Sequence, residues 1–438
     1  MSTPKSASTS TSTSTSTSAS TSTLMPPLQF PVPAAQFRPP TARSADPLRA
    51  VLDVLRTQGP LTRAELGAVV GLSRTTVSGL LASLRRCGLV ADSGSTDRPV
   101  TGRPATRVVL EPAAGLAVGV DIGRRHLRVV VADLGHRVLA EHDDRFDVDD
   151  RPDETIRAVA NVLDRLLLGL SADRVDVLGV GLGIPAPLDA KGTVGSSSIL
   201  PGWLGRVPAD ELSRELGLPV RVDNDANLGA LAEAVWGAGR GCAEMVYLKA
   251  ATGVGAGIVH EGRLFRGAGG TAGEVGHTTV VTGGELCRCG NRGCLEMYVG
   301  GPALVARLAH VGSTVSGVPD LVARAREGDP ACRRVLADVG DQAGQAVANV
   351  VNLLNPERVV LGGELGLAGE LVLDTLRARV LRSAVPSASA CVSVVPGVLG
   401  DRAEALGAVL LVLREDEPFG ERLAARAAAA VGALATSG

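Results

Sequence analysis

The segment that most restricts this chain lies late in it, where His277 is followed by Cys287-Arg288-Cys289 and then Cys294. Three thiolates and one imidazole make a closed four-ligand set, the way zinc is held structurally, with no open position for activating water. Unconnected thiols in a loop are the plainer alternative, but Gly290 and Gly293 suit a backbone wrapped tightly around a metal. The seven cysteines are an odd number, three of them fall within eight residues, and no apolar leader follows Met1. This pattern indicates thiols and metal ligands in a reducing cytoplasm rather than a disulfide framework.

From Leu116 the chain alternates strand and helix patterns. Leu116 to Val120 and Leu127 to Ala132 flank Asp121-Ile122-Gly123, and Met245 to Leu248 and Gly257 to His260 flank a second Gly-rich turn. The repeated strand-turn-strand opening predicts an internally duplicated, two-lobed α/β body with a cleft between the lobes. At 438 residues there is room for two or three domains. No apolar run approaches the roughly 20 residues that span a bilayer, so a soluble protein with no membrane partner is expected. Aromatics are only 2% of the chain, which excludes a stacking platform for single-stranded nucleic acid.

The net charge of -2 conceals an uneven distribution. Residues 43–110 hold ten arginines against five acids, which suggests a polyanionic partner for this stretch alone. Before it, residues 1–42 are Ser/Thr-rich and then Pro-rich, and read as a disordered tail. Three helical patterns follow. Pro47 opens the first, with Leu48, Val51, Leu52 and Leu55 on one face. Thr62-Arg63-Ala64-Glu65 is a capping box for the second, and Ser73 caps a third in which Val77, Leu80, Leu81 and Leu84 share a face. A strand from Leu89, a Gly/Ser/Asp/Pro-rich loop and a strand over Thr106 to Leu110 complete a winged-helix order over residues 43–111.

In such a unit the second helix of the helix-turn-helix enters the major groove by its N-terminal end. Ser73, Arg74, Thr75, Thr76 and Ser78 are the candidate base-reading residues, and Arg63, Arg85 and Arg86 the candidate phosphate contacts. Arg103, in Gly102-Arg103-Pro104, is a candidate for insertion into the minor groove, although the tripeptide alone equally suits a turn.

Beside the metal ligands stand Glu274 and Glu296, carboxylates suited to accepting hydrogen bonds from vicinal hydroxyls. Asn224-Asp225-Ala226-Asn227 follows a short apolar stretch and opens a helix. Asp225 there suits either a helix terminus or a base that accepts a hydroxyl proton in phosphoryl transfer.

Taken in order, Gly181-Leu-Gly-Ile-Pro185, Asn224-Asp-Ala-Asn227, Thr252-Gly-Val-Gly-Ala-Gly257, Gly273-Glu-Val-Gly-His277, Cys287-x-Cys289-Gly-x-x-Gly-Cys294-Leu-Glu296 and Leu361-Gly-Gly-Glu364 resemble the ROK family of repressors and sugar kinases. The resemblance covers about residues 45–412. It implies an actin-like, ribonuclease-H-like α/β fold over residues 112–413, preceded by the winged helix-turn-helix and followed by a C-terminal tail or helix over 414–438. It further implies structural Zn2+ on His277, Cys287, Cys289 and Cys294. Sugar hydroxyl contacts are implied for Asn224, Asp225, Glu274, His277 and Glu296, with Asp225 the base of the kinases.

The kinases of this family carry a first phosphate loop of the form Asp-x-Gly-Gly-Thr. Here Asp121-Ile122-Gly123 is followed by Arg124-Arg125-His126, and Ala251 precedes Thr252-Gly253 in the second loop. Asp121, Gly123, Thr252 and Gly253 therefore read as vestigial nucleotide contacts, which argues against ATP and Mg2+ as cofactors. The expectation is a sugar-responsive DNA-binding regulator of carbohydrate genes, similar to the repressor branch of the family. An ATP-dependent sugar kinase with an appended head is the alternative. The expected partners are pseudo-palindromic operator DNA, a sugar or phosphosugar effector, and further copies of the chain in a homodimer or homotetramer.

Overall fold

The computed structural model describes residues 47–95, 106–195, 200–415 and 421–429; the Ser/Thr tail and Arg103 lie outside the described residues. In the head, α1 (Pro47–Gln58) buries Val51, Leu52 and Leu55, with Leu48 packed against them. A two-residue strand, β1 (Leu61–Thr62), leads into α2 (Arg63–Val70). Thr62 Oγ1 accepts from the Glu65 amide at 3.2 Å and Glu65 Oε2 accepts from the Thr62 amide at 2.8 Å, the reciprocal cap expected. Gly71, at φ 71°, ends α2 in the left-handed region. Ser73 then caps α3 (Arg74–Arg86), accepting from the Thr76 amide at 3.1 Å. Val77, Leu81 and Leu84 are fully buried, whereas Leu80 is half-buried. The bend of 111° between α2 and α3 is that of a helix-turn-helix.

The wing is the antiparallel pair β2 (Val90–Ser95) and β3 (Thr106–Leu110). The far edge of β3 also pairs with β1, giving a three-stranded sheet in the order β1-β3-β2. A two-residue strand is too short to show a period, and so the sequence pattern misses it.

The first lobe of the body comprises β4 (Leu116–Gly123), β5 (His126–Asp133), β6 (Val138–Asp144), α4 (Pro152–Gly169), β7 (Val177–Ile184), α5 (Pro208–Leu216) and β8 (Val220–Asn224). After α6 (Asp225–Trp236), the second lobe comprises β9 (Met245–Ala250), β10 (Val254–His260), β11 (Arg263–Leu264), α7 (Glu296–Val299), α8 (Gly301–His310), α9 (Val318–Glu327), α10 (Pro330–Leu354), β12 (Arg358–Gly362), α11 (Glu370–Ser383), α12 (Pro386–Ser389) and β13 (Ser393–Pro396). The last element of the body, α13 (Ala403–Leu410), runs on into a π-turn over Leu411–Glu415.

The two sheets run β6-β5-β4-β7-β8 and β11-β10-β9-β12-β13. In each, the first three strands form an antiparallel meander and the last two join the first in parallel. The duplicated sequence opening is thus one half of a duplicated sheet.

Between the sheets, α6 and α13 pack together, and glycines set their approach. A Cβ on Gly119 of β4 would lie 2.2 Å from the Ala405 carbonyl oxygen, and one on Gly181 of β7 would lie 2.0 Å from that of Ala408. One on Gly407 of α13 would lie 1.9 Å from the Leu228 carbonyl oxygen of α6. Backbone therefore meets backbone along α13. In β9 the buried ring of Tyr247 lies between Gly229 and Gly362, where a Cβ would come within 2.4 and 2.2 Å of it. Its hydroxyl reaches Glu404 Oε1 at 3.3 Å.

Beyond the π-turn, residues 421–429 are helical, with Leu423 and Ala427 fully buried. This helix touches both parts of the chain: Glu421 pairs with Arg49 of α1 at 3.1 Å, and Arg426 with Asp176 of the body at 3.4 Å. Among the described residues no single helix is long and apolar enough to cross a membrane.

Candidate functional site

A cleft of about 1440 Å3 opens between the lobes, at the C-terminal ends of β4, β8 and β9. Open α/β sheets bind ligands at such strand ends. Asn224, Asp225, Glu274, His277 and Glu296 all line it, although 72 residues separate the first from the last.

Asn224 and Asp225 come to the cleft because β8 ends there and α6 begins. Asn224 is the N-cap of α6: its Oδ1 accepts from the Ala226 amide at 2.9 Å, while its Nδ2 donates to the Ala186 carbonyl at 3.2 Å. Asp225 Oδ1 accepts from the same amide at 2.8 Å, and its Oδ2 receives Lys249 Nζ at 2.8 Å. The motif is thus a helix terminus, and it also presents a carboxylate to the cleft.

Lys249 lies on β9 and also reaches Glu404 Oε1 at 3.2 Å. Burial presses its pKa down, but Asp225, Glu404 and Asp121 outweigh that and hold the ammonium form. Glu404 is itself raised, by burial first and with Lys249 opposing. Neither Lys249 nor Glu404 is among the residues expected from sequence. The signal available was a lysine inside the apolar strand Met-Val-Tyr-Leu-Lys-Ala.

Glu296, at the start of α7, is only 7% exposed at its side chain. Its Oε1 receives Arg288 at 2.9 and 2.8 Å, and its Oε2 receives the Val254 amide at 3.2 Å. The residue between two of the cysteines thus fixes an acid of the cleft. The Glu274 carboxyl is raised above its ordinary value, first by burial and then by the nearby Asp225 and Glu296 carboxylates, with His277 opposing.

The four donor atoms of His277, Cys287, Cys289 and Cys294 all lie within 4.8 Å of one another. His277 Nδ1 is 3.6 Å from Cys287 Sγ, and Cys289 Sγ is 3.6 Å from Cys294 Sγ. Bonds of about 2.3 Å to sulfur and about 2.0 Å to nitrogen give a zinc tetrahedron with edges of roughly 3.5–3.8 Å, so the cluster fits that ion. The other ring nitrogen, His277 Nε2, faces Glu274 at 3.9 Å. One imidazole thus joins the metal cluster to the acids. Cys87, Cys242, Cys332 and Cys391 stand outside the cluster.

The first phosphate-type loop has a conformation that the sequence does not reveal. Both arginines line the cleft, Arg124 paired with Asp149 at 2.6 Å and Arg125 exposed, while the His126 ring lies across Gly123. A Cβ on Gly123 would meet that ring at 1.9 Å. His126 Nε2 bonds Asp121 Oδ2 at 2.8 Å, and Asp121 is buried beneath the cleft wall. Burial opposes both charges, yet the pairing prevails: Asp121 is held below and His126 above its ordinary value. Thr252 and Gly253 line the cleft from the second loop.

A raised histidine stabilises the fold fully below its unfolded pKa and loses that contribution as pH rises through its folded pKa. The melting temperature lost in His126→Gln should accordingly be largest near about pH 6 and shrink toward about pH 9. A loss that stays constant across that range would contradict the pairing.

On the head, Arg63, Ser73, Arg74, Thr75, Thr76, Ser78 and Arg86 are exposed. Ser73 Oγ lies 2.8 Å from both Thr75 Oγ1 and Thr76 Oγ1, which orients the start of α3. Arg85 differs from its neighbours in being paired with Asp92 of the wing.

These features define a two-lobed α/β body of sugar-kinase type that bears a helix-turn-helix head. The chain belongs to the ROK family, whose model matches residues 117–415, and residues 48–93 match the IclR helix-turn-helix domain. It is 28% identical to the xylose repressor of Caldicellulosiruptor bescii over 85% of this chain and 96% of that one. It is 31% identical to the glucokinase of Halalkalibacterium halodurans over 68% of this chain and 95% of that one. The crystal structure of a ROK family transcriptional regulator, a homologue of the Escherichia coli Mlc protein, superposes with a TM-score of 0.70 at 24% identity, covering 88% of this chain and 98% of that one. The glucokinase is matched over about as much of this chain as the family model spans, whereas the two regulators are matched over more than that.

Proposed function

We propose that the chain is a sugar-responsive DNA-binding repressor of carbohydrate genes, working in the cytoplasm as at least a homodimer, whose body senses the sugar without phosphorylating it. One contrast carries this reading: the acids of the cleft are assembled, while the imidazole of His126 fills the first phosphate loop and the ammonium of Lys249 holds Asp225. Asn224, Asp225, Glu274, His277 and Glu296 would take the sugar hydroxyls. Arg288 is already committed to Glu296, Lys249 to Asp225 and Glu404, and Arg124 to Asp149. His277, Cys287, Cys289 and Cys294 would hold Zn2+, which supplies no reacting group here and fixes the loop that carries Arg288 and the His277 ring. The head would read paired half-sites of DNA through α3.

A kinase is the second reading, favoured by the glucokinase relative and by the retained Asp225. A coupled ADP-release assay with D-glucose, D-xylose and N-acetyl-D-glucosamine separates the two. The expected result is no turnover above that of Asp225→Asn, with at least one free sugar raising the melting temperature. A ligand at a hundred times its Kd contributes about 2.7 kcal/mol, which is readily seen. Turnover abolished by Asp225→Asn would overturn the proposal.

A further inference from the structure

The cleft and the head are joined by one continuous piece of backbone, α13 and the π-turn that follows it. Glu404 is the second residue of α13 and pairs with Lys249 in the cleft. In the π-turn that continues this helix, the carbonyls of Val412 and Leu413 accept from Arg56 Nη1 of α1, at 3.5 and 2.8 Å. The Arg56 side chain is 6% exposed, so this is a buried tie between head and body. At about 1.5 Å per residue, the α-helical part from Glu404 to Leu410 spans roughly 9 Å, and the π-turn carries the chain on to Leu413.

The helix between these points has no room to yield sideways. Its carbonyls at Ala405 and Ala408 meet Gly119 and Gly181 of the first-lobe sheet, and Gly407 meets the backbone of α6. Tightly packed interiors transmit displacement rather than absorb it. A shift imposed at Glu404 is therefore delivered along the axis to the carbonyls that hold Arg56.

We propose that Glu404 is a positioning residue through which occupancy of the cleft reaches the DNA-binding head, with Lys249 as the exchangeable contact and α13 as the rod. The inference rests on the reading that the cleft takes a sugar. A hydroxyl that donates to Asp225 competes with Lys249 for that carboxylate. The ammonium, 2.8 Å from Asp225 and 3.2 Å from Glu404, then settles on Glu404 and draws on the start of α13. Because the coupling is thermodynamic, DNA bound to the head must act back on the cleft by the same factor.

Hydrogen exchange of the full-length protein tests this without an operator. In the absence of sugar, Glu404→Gln should speed amide exchange in α1 at least threefold, while Arg377→Gln, which breaks a surface pair on α11, leaves α1 unchanged. In the Arg56→Ala background, Glu404→Gln should add nothing further to α1. A purely structural role predicts instead that the two effects add, and that result would overturn the proposal, as would α1 exchange in Glu404→Gln matching the wild type. Should Glu404→Gln fail to fold, Lys249→Met breaks the same pair from β9 and the same comparison holds. Whichever of D-glucose, D-xylose and N-acetyl-D-glucosamine raises the melting temperature is then added. It should change α1 exchange in the wild type and still bind Glu404→Gln without changing α1. A sugar-induced change in α1 that persists in Glu404→Gln would overturn the relay. If none of the three sugars binds, the sensing reading fails for them, and the sugar-free comparison decides the relay alone.

Discussion

Replacing Cys289 by Ser should strip the metal from the body and weaken sugar binding by ten- to a hundredfold. Cys289 is exposed, so the substitution removes a ligand without opening a core cavity. The damage passes instead through the loop. Arg288, its neighbour, holds Glu296, and His277 presents one nitrogen to the cluster and the other to Glu274. Groups that orient ligands from behind a metal typically change affinity by about 10–100-fold, and a structural site loses its folding contribution with the ion. Metal content by mass spectrometry should fall from one zinc per chain to none, and the thermal shift produced by the sugar should shrink accordingly. Cys391→Ser, also exposed but outside the cluster, should leave both unchanged. A Cys289→Ser protein that keeps its zinc and its full sugar shift would refute the link.

Arg74→Ala should lower specific DNA affinity by about 1–3 kcal/mol, roughly 5- to 150-fold, with relaxed preference at one base position. Arg74 is exposed at the first position of α3, beside hydroxyls already ordered by Ser73. Arg63→Ala, on α2, should weaken all sequences about equally and reduce the salt slope by about one. The probe is a duplex selected from a random library by the full-length protein. Equal losses on selected and unselected DNA for Arg74→Ala would show that this residue does not read bases. Arg85→Ala should fall short of both, because Arg85 is occupied by Asp92 across the wing.

The sequence revealed most where the information is local. The capping box at Thr62 and Glu65, the cap at Ser73 and the buried face of α3 are each contained within a few turns of chain. The candidate metal ligands span eighteen residues, and their four side chains meet as expected. What escaped notice depends on residues brought together from far apart. Lys249 meets Glu404 across 155 positions, and Arg56 meets Leu413 across 357. Periodicity reports which face of an element is apolar, not which polar residue will stand opposite it. The first phosphate-type loop shows the same limit at short range. Its replaced glycine and threonine were legible, but the conformation that pairs Arg124 with Asp149 and brings His126 over Gly123 was not.

The Tyr247 ring, held between Gly229 and Gly362, bears on how this protein can change over time. A side chain at either glycine becomes tolerable only after the ring has been replaced, and replacing the ring removes the hydroxyl that meets Glu404. Three positions on α6, β9 and β12 therefore cannot drift independently. Viable lineages must pass through substitution at 247 first, and the two glycines should show as strongly epistatic sites in any scan that varies all three.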